Sequence, residues 1–351
     1  MIKTYSTTIR RKEMDAVLTC MVDENIGPGE LNGKLIQQVK EFIKCDGAVA
    51  LRSPAIALSY ALKALSVEKA TKIMISALAP AWQYQTLVDL GYIPQVLDVE
   101  ETTGLLSVET IKQGMLDGGK VLLLHETEGI LPDLENIVSL GIPVIEDISH
   151  SAGSFVAVKN DDGTVSDVKK ASGTFGVYTI LGLEERDVIT SGGGAILLSP
   201  GRREWIVLKK YVDVAPETDL LPDINAALAW IQVKEFARNE KTRKEIFNMY
   251  QHACMIGRHK LYARELDDGS TVSAFPLVLA SSYKDVKQYA AKKDIEIQLA
   301  YENSVFALKQ DELDSLIHAK SLYLRCVHFP LYPRLTKSET AKIVKVLGSL
   351  P

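Results

Sequence analysis

The sequence lacks the features that define several large classes of protein. It has no run of about 18 or more apolar residues, so it predicts no membrane-spanning helix, and residues 1–13 are too polar for the core of a signal peptide. A formal net charge of −5 leaves it without the basic excess of nucleic-acid-binding proteins. We therefore expect a cytoplasmic protein that binds neither nucleic acid nor a membrane.

Cysteine is scarce and is never clustered. The four cysteines lie far apart, with no CxxC pair among them: Cys20, Cys45, Cys254 and Cys326. Isolated cysteines favour neither a disulfide framework nor a zinc site. The spacing is typical of reduced, mostly buried thiols, and we predict no metal site.

What the sequence does contain is the material for a large globular protein. Hydrophobic residues make up 46% of the chain and charged residues 24%, which is the average mixture of soluble proteins. A chain of 351 residues exceeds what one hydrophobic core usually serves. We predict a large domain over residues 1–222, N-terminal arm included, and an interdomain helix with a smaller domain over residues 223–351.

Short apolar runs alternate with stretches of helical periodicity between Lys34 and Pro200. Strands separated by helices of this length need crossover connections, which predict an α/β fold with a largely parallel sheet covered on both faces. The predicted strands are residues 48–51, 73–75, 95–99, 121–125, 143–145, 174–180 and 195–198. The polar insert at residues 159–170, which contains Asp161-Asp162-Gly163, predicts an exposed hairpin or loop.

The pattern changes after Tyr211, where residues 212–222 are acidic and predict a connector. Asp223 is a candidate N-cap for one long helix from Ile224 to about Met255, of the kind that bridges two domains. Beyond it the sequence predicts a compact α/β unit, with strands near residues 273–279, 295–301 and 324–329 and helices near residues 283–292, 311–319 and 337–348.

Six segments match, in order and spacing, the motifs of a known family. They are residues 91–99 ("GAKPVFVDV" in the family), His125 with Gly129 and Asp133 ("HxxGxxxD", with one extra residue), residues 144–153 ("VIEDAAQAHGA"), 193–196 ("GGAV"), 221–228 ("MSDLQAAL") and 329–333 ("LPLYP"). Nearly the whole chain resembles the DegT/StrS-type sugar aminotransferases. The resemblance implies the type I fold of pyridoxal-phosphate (PLP) enzymes, with a mixed, mostly parallel sheet and a smaller C-terminal α/β domain. It also implies a homodimer and a nucleotide-sugar ligand.

By the same resemblance, three residues correspond to cofactor contacts. Asp147 ends an apolar strand and would pair with the pyridine nitrogen of PLP; its alternative role is to cap the next turn. Ser53 begins Ser53-Pro54-Ala55, where the family has an "SGT" phosphate cradle, but Pro54 has no N–H and Ala55 has no hydroxyl. Thr179 replaces the serine that precedes the family's lysine motif.

The Schiff-base lysine of the family is absent. The family carries it in "SFxPTK", a few residues before the paired glycines, whereas no lysine lies between Lys170 and Lys209 here. Counting forward from Thr179 places Glu184 at the lysine position, and counting back from the glycines places Arg186 there. Neither a carboxylate nor a guanidinium can form an aldimine. Any PLP, or pyridoxamine phosphate (PMP), would therefore bind non-covalently, and a site without a cofactor is an equal expectation.

Histidines and aromatic residues complete the comparison with the family. His150 lies three residues after Asp147 and is the one local candidate for a catalytic base, with a hydrogen-bonding spacer as its alternative role. His328 falls within an apolar strand and predicts a hydrogen-bonded core histidine. The aromatic residue that stacks on the cofactor falls near Leu78 or Pro80, so that contact is lost as well.

Three hypotheses follow. The first is a lysine-free pseudoenzyme that does not transaminate and that binds a nucleotide sugar or a partner in sugar or glycan biosynthesis. The second is an active PLP- or PMP-dependent aminotransferase or dehydratase-like enzyme, acting on a nucleotide-linked keto sugar with His150 as base. The third is a non-catalytic interaction scaffold in which side chains such as Trp82, Glu184 or Arg186 fill the pocket.

Overall fold

A seven-stranded sheet forms the centre of the larger part of the molecule. The computed structural model describes residues 1–159, 165–255, 257–262 and 269–351. The sheet has the strand order β1-β9-β8-β5-β4-β2-β3 and is parallel except where β9 pairs with β1 and β8. Its strands are β1 (Gly47–Leu51), β2 (Lys72–Ser76), β3 (Ile93–Leu97), β4 (Val121–His125), β5 (Val144–Asp147), β8 (Tyr178–Gly182) and β9 (Ala195–Ser199). This mixed, mostly parallel sheet confirms the predicted fold class.

Helices cover both faces of this sheet, because strands buried on both sides leave no polar face to solvent. One face packs against α3, α4 and α7, and the other against α2, α5, α6 and α8, with fully buried side chains such as Leu58 and Leu35 on either side. These helices and the N-terminal α1 have the following bounds: α1 Arg11–Val22, α2 Glu30–Ile43, α3 Pro54–Ala64, α4 Ala81–Asp89, α5 Val108–Leu116, α6 Leu134–Val138, α7 Arg202–Val212 and α8 Asp223–Lys234.

Two predicted strands are displaced from their observed positions. The strand predicted at residues 174–180 begins only at Tyr178, so residues 174–177 lie outside β8. The backbone N–H groups of Gly173, Phe175 and Gly176 donate instead to the Glu146 carboxylate, which bends the segment away from the sheet. The third predicted strand, residues 95–99, lies two residues too far along, since β3 pairs with β2 from Ile93 onward.

A second sheet has four antiparallel strands in the order β10-β11-β13-β12. Its strands are β10 (Lys260–Leu261), β11 (Phe275–Val278), β12 (Gln298–Leu299) and β13 (Cys326–Phe329); the helices of this part are α9 (Phe236–Cys254), α10 (Tyr283–Ala291), α11 (Val305–Leu308), α12 (Ile317–Arg325) and α13 (Lys337–Leu347). The helix predicted at residues 311–319 is wrong. The Asp98 carboxylate accepts the N–H groups of His318 and Ala319, which starts a helix at Ile317 instead.

The long helix predicted from Ile224 to about Met255 is two helices, α8 and α9, which meet at Glu235 with φ −90° and ψ 2°. The Glu235 carboxylate forms ion pairs with Lys12 and Arg238 at this break. Asp223 does not cap its own helix. Its carboxylate accepts the backbone N–H groups of Gly29, Leu31 and Asn32, so it caps the start of α2 from a distant part of the sequence.

The N-terminal arm extends across to the second sheet. Ile2 forms a parallel bridge with Ile295 and donates its N–H to Asp294 over 2.7 Å. The insert after Ser154 forms a hairpin of β6 (Phe155–Lys159) and β7 (Val165–Ala171), while Asp161-Asp162-Gly163 lies outside the described residues. All four cysteines are free and buried. Within the described ranges no helix is long and apolar enough to cross a membrane.

Candidate functional site

A cavity of about 340 Å³ lies between the two sheets, at the carboxyl ends of β4, β5 and β8. Open α/β sheets bind their ligands at this edge, because the loops that follow the strands meet there. Of the residues singled out in the sequence, His150, Glu184 and Arg186 line the cavity. Ser53, Asp147 and Thr179 do not line it, and Asp147 is fully buried.

Asp147 is fully buried at the end of β5, and four protein donors surround its carboxylate. Oδ2 accepts from His125 Nδ1 at 3.0 Å and from Gln83 Nε2 at 2.8 Å. Oδ1 accepts from the backbone N–H of Ser149 at 3.1 Å and from its hydroxyl at 2.5 Å. Burial would raise the pKa of Asp147, but the charge of His125 and these hydrogen bonds lower it below its ordinary value. The carboxylate is therefore ionised and already fully hydrogen-bonded by the protein.

Gln83 is the residue in this arrangement that the sequence pattern did not reveal. It lies on α4, is fully buried, and directs its amide to Asp147. Its Oε1 atom accepts no hydrogen bond from the described residues. A glutamine one residue after Trp82 on an amphipathic helix carries no signal of its own, and only the packing of α4 against the sheet brings it to the carboxylate.

The other two predicted cofactor contacts have structural partners. Ser53 is the N-cap of α3, and its hydroxyl accepts the N–H of Ile56 at 3.2 Å. Pro54 takes the first helical position, where the missing N–H costs the helix nothing. The Thr179 hydroxyl is buried and donates to the carbonyl of Gly173 at 2.8 Å, away from the cavity.

The loop between β8 and β9 carries Glu184 and Arg186, the two residues that the sequence resemblance assigned to the lysine position. Glu184 and Arg186 are both exposed residues of the cavity lining, and the Arg186 guanidinium pairs with Glu302 at 3.3 Å. Asp187 turns inward instead, with a side chain only 11% exposed and Oδ2 accepting the N–H of Glu184 at 2.7 Å. Burial, with the negative charges of Asp147 and Glu184, raises the pKa of Asp187 well above its ordinary value. Counting along the sequence singled out Glu184 and Arg186 but not the neighbouring Asp187.

His150 lies at the cavity wall between two other groups. Its ring packs edge-on against His125 with 4.9 Å between centroids, and its Nε2 lies 4.0 Å from Asp187 Oδ1. Burial and the neighbouring His125 lower the pKa of His150 to about 4, so its ring is neutral at pH 7. Its Nδ1 accepts no hydrogen bond from the part of the chain that the structure describes.

The cavity is also bordered by a hydrogen-bonded row of three side chains: Tyr5, His328 and Glu128. The Tyr5 hydroxyl lies 2.6 Å from His328 Nδ1, and His328 Nε2 lies 2.9 Å from Glu128 Oε1. His328 is buried and hydrogen-bonded, as expected for an apolar strand, but it also borders the cavity. Glu128 lies in the turn where the His-Gly-Asp motif has one extra residue. That extra residue was the only sign in the sequence that Glu128 could belong to the site.

These residues do not fit PLP held as the resemblance implies. No lysine among the described residues lines the cavity, and the Asp147 carboxylate, which the resemblance assigns to the pyridine nitrogen, already accepts four hydrogen bonds. The phosphate end has lost an N–H and a hydroxyl at Pro54 and Ala55. Glu128, Glu184 and Glu185 add negative groups to the described lining, against the guanidinium of Arg186. An anionic cofactor would therefore meet unfavourable charge and no covalent anchor.

Comparison with known proteins agrees with the fold. The family model described as DegT/DnrJ/EryC1/StrS aminotransferase family matches residues 7–207 and 214–348. EpsN of Bacillus subtilis (strain 168), named as a candidate pyridoxal phosphate-dependent aminotransferase, is 20% identical, covering 91% of this chain and 87% of EpsN.

Two solved structures superpose over nearly the whole chain. The aminotransferase TlmJ from Streptoalloteichus hindustanus has a TM-score of 0.86 at 16% identity, covering 99% of this chain and 98% of its own. The PMP form of Spr1654 from Streptococcus pneumoniae, named as a candidate sugar aminotransferase, has a TM-score of 0.84 at 16% identity, covering 97% and 95%. Because the family model matches residues 7–207 and 214–348, this chain belongs to the DegT/DnrJ/EryC1/StrS aminotransferase family.

Proposed function

We propose that this chain is a lysine-free member of its family that does not transaminate and that binds the sugar part of a nucleotide-linked sugar non-covalently. The observation that carries the proposal is a cavity whose described lining residues offer donors and acceptors but no primary amine. Transamination needs a covalent imine and a base to move a proton between two carbons, and both come from a lysine in this fold.

The lining favours a sugar because it offers both kinds of group that a hexose needs. Sugar hydroxyls donate to carboxylates such as Glu184 and Glu185, and they accept from amides and phenols such as Asn303 and Tyr301. The indole of Trp82 supplies an aromatic face on which the C–H side of a sugar ring can pack. The volume of about 340 Å³ is in the range of small-molecule sites.

The same cavity weighs against the other two hypotheses. A scaffold whose pocket had filled with side chains would not leave an open space beside Trp82, Glu184 and Arg186. A dehydratase-like enzyme with His150 as base needs PLP or PMP on Asp147, whose carboxylate is already hydrogen-bonded by Gln83, His125 and Ser149. The lysine-free binding site is therefore the function that the geometry supports best.

The test is a paired titration of the purified protein. We expect GDP-mannose or UDP-N-acetylglucosamine to give saturable heat in calorimetry, with Kd in the micromolar to millimolar range that about 4–8 kcal/mol of binding free energy gives. PLP should produce no saturable visible absorbance change, and borohydride should trap no adduct at a single site by intact mass and peptide mapping.

A matched pair of variants locates the bound sugar. Trp82→Ala should weaken binding of the nucleotide sugar about tenfold, because a lost aromatic contact is worth roughly 0.5–1.5 kcal/mol beyond its area. Trp230→Ala, which removes a similar half-buried indole from the α8 surface, should leave Kd unchanged within about threefold. Absence of heat with both nucleotide sugars, or a PLP adduct on one lysine, would reject the proposal.

The homodimer implied by the resemblance is also part of our proposal. Helix α1 packs one side against the body and leaves four apolar side chains more than half exposed: Met14 at 55%, Leu18 at 58%, Met21 at 54% and Val22 at 72%. The spacing of four and three residues places Met14, Leu18 and Met21 on one stripe, which a second copy can cover. Light scattering should give twice the 38.6 kDa of one chain, and Leu18→Glu should shift the mass toward one chain. A single-chain mass for the unmodified protein would contradict the dimer.

A further inference from the structure

Three side chains from distant parts of the sequence form one hydrogen-bonded row that ends at the cavity. Tyr5 comes from the N-terminal arm, Glu128 from the turn after β4, and His328 from β13 of the second sheet. All three border the cavity. The two contacts, 2.6 Å and 2.9 Å, have the heavy-atom separations of good hydrogen bonds.

The chemistry of the three groups fixes the direction of the row. An ionised carboxylate can only accept, so the proton between His328 and Glu128 belongs to His328 Nε2. Burial would raise the pKa of Glu128, but its close contact with His328, with smaller contributions from His150 and His125, lowers it below its ordinary value. The His328 tautomer with its proton on Nε2 has a bare Nδ1, which accepts the hydroxyl proton of Tyr5.

This order of groups is the one that activates a hydroxyl. A carboxylate holds an imidazole in one tautomer, and the free ring nitrogen of that imidazole can take the hydroxyl proton. Glu128 is 2% exposed and His328 6%, so water does not compete for either group. Glu128 also adopts a left-handed backbone, with φ 57° and ψ 20°, which is uncommon for a residue other than glycine.

Arg186 supplies the cation that the row would otherwise lack. Its guanidinium lies 4.4 Å from the centroid of the Tyr5 ring. Burial and the charge of Glu128 raise the pKa of Tyr5, and the charge of Arg186 opposes them. Tyr5 is therefore protonated at rest, and negative charge that develops on its oxygen is opposed by a guanidinium over the ring.

We propose that Tyr5 is a catalytic proton donor and acceptor of this cavity, that His328 and Glu128 are its positioning residues, and that its substrate is a keto sugar with a C–H bond next to the carbonyl. This rests on the proposed function, since the sugar part must first bind. No cofactor, oxidant or reductant enters the step.

The step balances within the cavity. The C–H bond next to the carbonyl breaks, its proton moves to the Tyr5 oxygen, and the original hydroxyl proton of Tyr5 moves to His328 Nδ1. The electron pair of the C–H bond forms the C=C bond of an enolate, and the negative charge resides on the former carbonyl oxygen. Return of a proton to either face restores the ketone, with exchange or inversion at that carbon.

The experiment uses GDP-4-keto-6-deoxymannose as the probe, in D₂O, with proton NMR following the hydrogens on the carbons beside the ketone. The unmodified protein should replace such a hydrogen by deuterium faster than buffer does. Tyr5→Phe should slow this exchange by about 100-fold or more, the lower part of the range for a general acid–base group. Its Kd for the probe should stay within about threefold, because the phenyl ring is retained.

Two further variants separate catalysis from structure. Tyr289→Phe removes an exposed hydroxyl that contacts only Ser349 among the described residues, so it should exchange at the unmodified rate. His328→Gln should slow exchange as Tyr5→Phe does, with thermal unfolding used to verify that each variant folds. A merely structural row would lower the melting temperature and leave the exchange rate per folded molecule unchanged.

The outcomes are distinguishable. Undiminished exchange in Tyr5→Phe, or binding without exchange in the unmodified protein, overturns the catalytic role of Tyr5 and leaves the proposed function standing. Absence of binding overturns the proposed function. The ¹⁵N chemical shifts of His328 then test the hydrogen-bonded row by itself, because the row requires Nε2–H in the unmodified protein and a shifted Nδ1 resonance in Tyr5→Phe. An Nδ1–H tautomer, or an unshifted Nδ1, overturns it.

Discussion

Replacing Glu146 with alanine should lower the free energy of unfolding by about 4 kcal/mol, because buried N–H groups left without an acceptor cost roughly 1–3 kcal/mol each. The carboxylate is fully buried and accepts three backbone N–H groups, those of Gly173, Phe175 and Gly176. They belong to the turn that leads into β8, and β8 pairs with both β5 and β9. The loss should be measured by urea unfolding at pH 7.

Glu146→Gln provides the graded control. Its amide oxygen can still accept from Phe175 and Gly176, while its NH₂ group faces the N–H of Gly173 without bonding it. We expect it to lose about half as much stability as the alanine variant. Equal stability of all three proteins would mean that the turn holds without the carboxylate, and would contradict this account of why β8 starts at Tyr178.

The sheet was predictable because its strands are buried on both faces and therefore stand out as apolar runs between turns. The runs at residues 48–51, 121–125 and 195–198 fall within β1, β4 and β9. Failures occur where a distant side chain binds the backbone. Asp98 starts α12 and Asp223 starts α2, and in neither case does periodicity along the chain reveal a partner so far away in sequence.

The site was predictable only where a motif named its residues. The cavity does contain His150, Glu184 and Arg186, which motif counting selected, whereas their chemical roles stay predictions. Asp187 and Gln83 were not predicted as site residues. Their place in the site depends on the direction of a side chain, which the order of residues in a loop or helix does not reveal. Tyr5 reaches the cavity only through the pairing of the N-terminal arm with the second sheet.

Glu126 should make the stability of this protein fall as the pH rises above about 4.5, the ordinary range for an unfolded glutamate. Its Oε2 accepts from the hydroxyls of Ser151 and Ser172, and the Glu146 carboxylate is its charged neighbour. Burial, followed by the charge of Glu146, raises the pKa of Glu126 well above its ordinary value. These facing groups include no cation, so the pair shares one proton in the native state.

The sign follows from that proton. Between the unfolded pKa and the raised native pKa, the native state holds a proton that the unfolded chain has released. The free energy of unfolding should therefore decrease by about 1.4 kcal/mol per pH unit in this window, and the contribution is complete only below the unfolded pKa. His150 acts in the opposite direction between about pH 4 and 6.5, because burial depresses its pKa.

Glu126→Gln isolates the contribution of the shared proton. Its NH₂ group can donate to Glu146 and its oxygen can accept from Ser151 and Ser172, which reproduces the protonated acid at every pH. The difference in unfolding free energy, unmodified protein minus variant, should decrease from pH 5 to pH 8, and the contribution of His150 cancels from it because both proteins contain that residue. The exposed Glu245→Gln gives a matched change of charge and should show a flat difference. Parallel stability curves for Glu126→Gln and the unmodified protein would show that the buried pair holds no proton, and both carboxylates would then have to be ionised side by side without a cation.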